Sequence, residues 1–358
     1  MALRGAFLHK TVTKFLPRFL PVLLLAGAAA VGAAQSSVAA INPDAMAPTI
    51  TRTACPGGIW AIHTIPARGF NPLTATTAEL NANNYPLRPP KSNPRGLAQW
   101  KKFVVKPAVL ANSCPSIRKS NHAGGALRLP ATSIRPDGVT STATSVNWAG
   151  YVAHGATYTE AEAQWVVPAV SGVAGTNDYS SSWVGVGLGQ SSYYELMQAG
   201  TEADYYGQYG TPNYYLWYEV YPDQNDSGYL SVTYPLDTVG VHISYESSGP
   251  EFHVWDDTIG YNKTFQVGGS WGDDGHAEWI YERPAINNEI PYLADAAPGF
   301  FDAQAVTGGA WQSLAAASDI QMTMYNCPGT QELAYPGAIS GETFTAVYLH
   351  HGDQNACT

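Results

Sequence analysis

Between Ser145 and Tyr348 the chain is cut into short runs of alternating apolar and polar residues, each closed by Gly, Pro, Asn or Ser. The runs fall at 146–152, 161–167, 181–186, 214–221, 229–234, 239–245, 251–256, 261–266, 276–282, 321–325 and 343–348. Alternation of this kind sends successive side chains to opposite faces of a strand. A turn about every ten residues joins such strands as antiparallel neighbours, because parallel strands need long crossovers. No sustained helical period competes, and no internal repeat is visible. The 22 Tyr, 10 Trp and 35 Gly also favour strands and turns over helices. The expected fold is all-β, an antiparallel two-sheet β-sandwich of concanavalin or lectin-like shape.

Ahead of this region the sequence changes character twice. Lys10, Lys14 and Arg18 precede an apolar run at 19–34, and small residues follow as far as Ala40. A charged start, an apolar centre and a small-residue exit make 1–40 a signal peptide. Export to the extracellular space is expected, with no membrane attachment once the signal is removed. Residues 41–140 carry twelve Lys/Arg against Asp44, Glu79 and Asp137, a balance of +9. Residues 141–358 carry only Lys263 and Arg283 against 25 Asp/Glu, a balance of −23. We read 41–140 as a basic pro-segment ending in an exposed linker, and 141–358 as an acidic β-sandwich catalytic domain. A helix is expected over 97–111, broken at Pro107. Opposite charges suggest that the pro-segment covers an acidic cleft as an inhibitor and leaves as carboxylates protonate.

The acidic domain argues against nucleic acid as a partner. Four cysteines suit an exported chain, and of three possible pairings Cys55–Cys114 and Cys327–Cys357 keep each region self-contained. No Cys/His cluster or H-E-x-x-H spacing points to a metal, so neither metal nor cofactor is expected. A monomer is the default. Asn225 and Asn262 begin glycosylation sequons.

Two polar side chains stand out at the ends of aromatic-rich runs, Gln198 and Glu282. A carboxyl group can exchange a proton with water, and a primary amide can donate to a developing oxyanion. Together they can hydrolyse an amide bond. The GGSWG stretch at 268–272 matches G-x-S-x-G, which needs a strand–turn–helix that the pattern lacks. The alternative reading is a carbohydrate-binding module, with Tyr205, Tyr206, Tyr209, Tyr214, Tyr215 and Tyr218 stacking on sugars. Cleavage of denatured protein in acid separates the two.

Six stretches in order, NWAGY (147–151), SWVG (182–185), LMQAGT (196–201), WYEVYPD (217–223), AEWIYE (277–282) and FDAQA (301–305), resemble the glutamic peptidases, the eqolisins of peptidase family G1. The resemblance spans roughly 145–348. It implies two curved antiparallel sheets, acid endopeptidase activity on protein or peptide substrates, and a catalytic pair at Gln198 and Glu282. It also implies cleft positions at Trp183, beside the pair, and at Glu219. The chain departs from the family pattern at Gly187 and at Glu202, where the family carries Asp, so Glu202 is read as a cleft residue of altered length. Glu278 shares strand parity with Glu282 and is the lesser candidate.

Overall fold

The computed structural model describes residues 47–106, 113–115, 141–188, 195–221, 227–246, 248–269, 275–285, 290–318 and 320–353. All of them fall within one compact unit, Pro43–Thr358. The expected signal peptide lies outside the described residues, as do Asn225 and residues 116–140; of the exposed linker expected at 130–144, the last residues, 141–144, are described and form part of a strand instead. Among the described residues no helix is long and apolar enough to cross a membrane.

The N-terminal part contributes β1 (Thr49–Ala54), β2 (Ile59–Ile65), α1 (Thr77–Ala82) and α2 (Pro94–Phe103). Strands β3 (Ser141–Ser145), β4 (Trp148–Ala153), β5 (Tyr158–Val166), β6 (Asn177–Leu188), β7 (Glu195–Tyr206) and β8 (Thr211–Tyr221) follow. Next come β9 (Ser227–Val232), β10 (Thr238–Glu246), β11 (Gly249–Asp256), β12 (Tyr261–Val267) and β13 (Gly275–Glu282). The chain continues through β14 (Tyr292–Leu293), β15 (Gly299–Thr307), β16 (Ala310–Ser313) and a single turn, α3 (Leu314–Ala317). Strands β17 (Ile320–Tyr325), β18 (Glu332–Pro336) and β19 (Phe344–Tyr348) complete it.

These strands make the two sheets expected. Sheet A runs β16–β15–β5–β10–β11–β12–β2–β1. Sheet B runs β9–β8–β7–β6–β13–β4–β17, with β18 pairing to the C-terminal end of β17. Pairing is antiparallel except for β3 beside β17 and the short β14 beside β6. The G-x-S-x-G stretch falls between two strands, β12 and β13, and its residues 270–272 lie outside the described residues.

The core sits between the sheets and follows from period two. Ala161, Ala163 and Trp165 of β5 point inward with Val241, Phe252 and Val254. They meet Val184, Val186, Met197, Ala199, Tyr218 and Trp279 of sheet B. Each Val, Met or Phe side chain among them, fully buried, contributes about 1.5–3 kcal/mol. The residues between them on sheet B face the other way, and that outer face carries Gln198, Glu202, Glu278 and Glu282.

The basic segment is more ordered than its composition suggests. Thr76 and Glu79 form a reciprocal capping box that starts α1. Asn93 caps α2 with Pro94 in its first turn, so that helix begins and ends earlier than expected, at Phe103. Leu80, Leu87, Trp100 and Phe103 close a small core against Trp255 of β11. Arg88 lies 5.1 Å from the centre of the Trp100 ring. Cys55 and Cys114 are disulfide-bonded. Cys327 is also in a disulfide, and its expected partner Cys357 lies outside the described residues.

The described part of the segment rests on sheet A, with β2 pairing to β12, and not on the sheet B face that carries the polar candidates. Its contacts are set by shape and amides, whereas net charge gives only an overall attraction. The Asn262 side chain donates to Asn84 O at 3.2 Å and contacts His253 Nε2 at 2.7 Å, which commits that sequon to packing.

Candidate active site

Five strands of sheet B, β4, β6, β7, β8 and β13, position the site, and their register decides who meets whom. Glu282 of β13 sits opposite Trp148 of β4 on one side and Ser181 of β6 on the other, and Ser181 in turn faces Glu202 of β7. Two rows along, Gln198 of β7 lies between Gly185 of β6 and Glu219 of β8, and Gly185 faces Glu278. The row between them holds Ile280, Trp183, Gly200 and Trp217. Trp148, Trp183, Trp217, Ile280, Val152 and Leu196 form an apolar floor around the polar groups.

Glu282 is held at both oxygens. Trp183 Nε1 donates to Oε2 at 2.6 Å, and Asn147 Nδ2 donates to Oε1 at 3.2 Å. Trp148 and Trp183 meet edge to face at 5.0 Å, which fixes the two indoles against each other. The Trp148 N–H also favours the ionised carboxyl, although its geometry stops short of a hydrogen bond. Burial outweighs these donors, and the charge of Glu219 adds to it, so the Glu282 carboxyl is pushed up to about 7.

Gln198 is 5% exposed and donates from Nε2 to Glu219 Oε2 at 2.8 Å. Its Oε1 is buried and accepts no hydrogen bond. Such an acceptor is costly unless a ligand or water satisfies it. Glu219 is therefore the partner of Gln198 rather than of Arg283, which donates instead to Val146 O and Asp353 O. Burial, and after it Asp204, raises the Glu202 carboxyl well above its usual range. Asp204 also accepts from the hydroxyls of Tyr206 and Tyr215.

Glu278 is 3% exposed, with Oε2 unpartnered, and burial pushes it up to about 8. A Cβ on Gly187 would lie 3.2 Å from Glu278 Oε1, so the departure from the family pattern at 187 leaves room for that carboxyl.

The six tyrosines do not form one surface. Tyr218 is in the inter-sheet core against Phe252 and Phe265. Tyr215 is buried on the cleft face and stacks on Tyr229 at 3.8 Å between ring centres. Tyr209 is exposed beyond the end of β7, and Tyr214 OH accepts from Val170 N. Alternation along β8 separates neighbours in sequence, which removes the proposed sugar-stacking row. Asn147 and Trp148 stand beside Glu282, and nothing in the NWAGY stretch signals that contact.

The Peptidase A4 family profile matches residues 146–346, more than half of the chain. The chain belongs to the Peptidase A4 family. It is a glutamic-type peptidase, and the carbohydrate-binding alternative falls away. Aspergillopepsin-2 of Aspergillus niger is 27% identical over 240 residues, covering 60% of this chain and 82% of that protein. The scytalido-glutamic peptidase crystal structure with a transition state analog inhibitor is 24% identical, with 57% of this chain and 98% of that chain covered and a TM-score of 0.47. Aspergilloglutamic peptidase from Aspergillus niger is 26% identical, with 48% and 99% covered and a TM-score of 0.41.

Gly200 supplies a test of the floor of this candidate site. A Cβ there would lie 2.2 Å from Ser182 O and 2.8 Å from Trp183 Cα, both backbone atoms that cannot step aside. Gly200→Ala is expected to destabilise by roughly 1–3 kcal/mol. It should also lower kcat, because Trp183 must move away from Glu282. Thermal melts and steady-state kinetics read the two effects, and unchanged kcat would separate Trp183 placement from catalysis.

Proposed function

We propose that this chain is a secreted acid endopeptidase, monomeric, in which Gln198 and Glu282 act on one water molecule to cleave internal peptide bonds of proteins. One observation carries the reading: a fixed, buried carboxyl and an orphaned carboxamide oxygen lie on the same indole-lined face of sheet B. The Gln198 oxygen would accept from the water, and its second N–H would donate to the scissile carbonyl oxygen. Signal removal and a cut within the linker would precede activity. Trp183, Glu219 and Glu202 would line the substrate cleft.

The raised Glu282 carboxyl orders the proton transfers. Below about pH 7 it carries its proton. It would give that proton to the carbonyl oxygen as water adds to the carbon. The resulting carboxylate would take a proton from the added water and deliver it to the nitrogen as the C–N bond breaks. The last proton on the new carboxyl oxygen would return to Glu282, which restores the starting state.

Activity should therefore be full in acid and fall as pH rises through about 7. Two substitutions should move that fall in opposite directions. Glu219→Gln removes a charge that raises Glu282, so the fall moves to lower pH. Trp183→Phe removes a donor that favours the anion, so it moves to higher pH. Rate–pH profiles check both signs, and shifts in the same direction would sink the assignment of Glu282.

The register supports a second reading. Glu278, not Glu282, shares a cross-strand row with Gln198, with only Gly185 between them. In that reading Glu278 is the proton carrier and Glu282 fixes the indoles. Comparing Glu278→Gln with Glu282→Gln decides between them.

A further inference from the structure

We propose that residues 47–106 stay with the sandwich after the linker is cut, as a second chain that permanently caps the outer face of sheet A. This goes beyond the proposed chemistry and does not rest on it.

The segment is built into the sheet rather than laid over it. Strand β2 pairs with β12 from Ile59 to Ile62, which covers an edge that would otherwise present open backbone groups. Ile59 reaches the inter-sheet core itself and is 4% exposed. On the outer face, Trp100 and Phe103 close over Trp255. Gly240, on the next strand, has no side chain, and the Trp255 ring fills the place where a Cβ would stand, 2.1 Å away.

Around this apolar patch runs a ring of side-chain hydrogen bonds to the sandwich. Asn81 Nδ2 donates to Glu162 Oε2 at 2.7 Å, and Asn93 Nδ2 donates to Thr238 Oγ1 at 3.1 Å. Thr258 Oγ1 donates to Gln99 Oε1 at 3.1 Å. A sandwich stripped of the segment would expose Trp255, the β12 edge and these polar groups together.

Position removes the usual reason for discarding such a segment. Gln198 and Glu282 lie on the outer face of sheet B, and the segment lies on the outer face of sheet A. Both sheets and the core between them, about 10 Å from sheet to sheet, separate the two, so the docked segment leaves the cleft floor untouched.

Acid does not obviously release it either. Burial pushes Glu162 up to about 7, so the docked form binds a proton more readily than a solvent-exposed carboxyl and gains as pH falls toward the ordinary range. His253 of β11 is pushed down to about 3 by burial and loses in the same window. These two oppose each other. Beside them Glu160 and His242 pair at 2.9 Å on the sandwich, and Asp302 accepts from Gln164. The segment itself presents His63 on β2 and the capping Glu79 on α1.

The test uses the full chain carrying both Glu278→Gln and Glu282→Gln, which removes either candidate proton carrier and so prevents self-digestion, with a site-specific protease sequence inserted at 116–140. The disulfide Cys55–Cys114 lies inside the N-terminal fragment and cannot tether it after the cut. Gel filtration follows at pH 7 and at pH 4. The expected result is co-elution of both fragments at both pH values, with one cooperative melting transition for the cut complex. Elution of the N-terminal fragment apart from the sandwich at either pH would overturn the proposal, as would two independent transitions. Because the variant is inactive by design, the outcome is independent of which residue performs the chemistry.

Discussion

Glu282→Gln is expected to lower kcat by about 10²–10⁴-fold, the range for loss of a positioned acid–base group. The change is nearly isosteric and keeps an acceptor for Trp183 N–H, which donates to Glu282 Oε2 at 2.6 Å, so folding and KM should change little. Gln198→Ala removes an oxyanion donor and should cost about 10²–10³-fold. The two together should cost less than the product of the single effects, since each acts through the other's water. Glu278→Gln is the control, expected to stay under ~10²-fold, below what loss of acid–base catalysis costs. Near-normal turnover in Glu282→Gln, with collapse in Glu278→Gln, would hand the role to the other carboxyl.

Trp165→Ala should be the most destabilising single change in the sandwich. The side chain is fully buried, packs on Phe300 at 5.5 Å between rings, and spans the two sheets by donating from Nε1 to Thr201 Oγ1 at 3.0 Å. The cavity costs about 3–5 kcal/mol. The Thr201 hydroxyl loses its partner as well, at about 1–3 kcal/mol. With about 2–4 °C per kcal/mol for a chain of this size, the melting temperature should fall by roughly 10 °C or more. Thr201 stands three residues from Gln198 on β7, so kcat should fall too. A melting temperature within the error of the parent would contradict the placement of Trp165 between the sheets.

The sandwich was legible because period-two alternation is a local property. Strands β8, β10, β11, β12, β13 and β17 lie where the runs placed them. Strand β15 was missed for a local reason as well. Asp302 takes a positive φ of 51° at a bulge between Phe301 and Gln304, which breaks the alternation in the middle of the run. Strand β7 was missed because Gly200, Ala203 and Asp204 have weak strand preference, and its neighbours β6 and β8 hold it in place.

In the basic segment, Pro and Asn suggested a loop and outweighed two start signals that were present, Thr76-x-x-Glu79 and Asn93-Pro94. The site divides in the same way. Gln198 and Glu219 face the cleft by parity alone. Their direct hydrogen bond, the grip of Asn147 on Glu282, and the row shared by Gln198 and Glu278 depend on pairings between distant strands that no window of sequence contains.

Strand β3 gives the end of the linker a chemical stake in Glu282. It lies along β17 and delivers Ser145, whose hydroxyl donates to Asn147 Oδ1 and accepts from the backbone N–H groups of Asn147 and Trp148. Asn147 thus reaches Glu282 in a fixed orientation. A ragged terminus anywhere upstream of Ser141 leaves that arrangement alone. Trimming past Ser145 would free the amide, withdraw one of the donors that hold the carboxyl down, and retune the enzyme toward higher pH without touching a cleft residue.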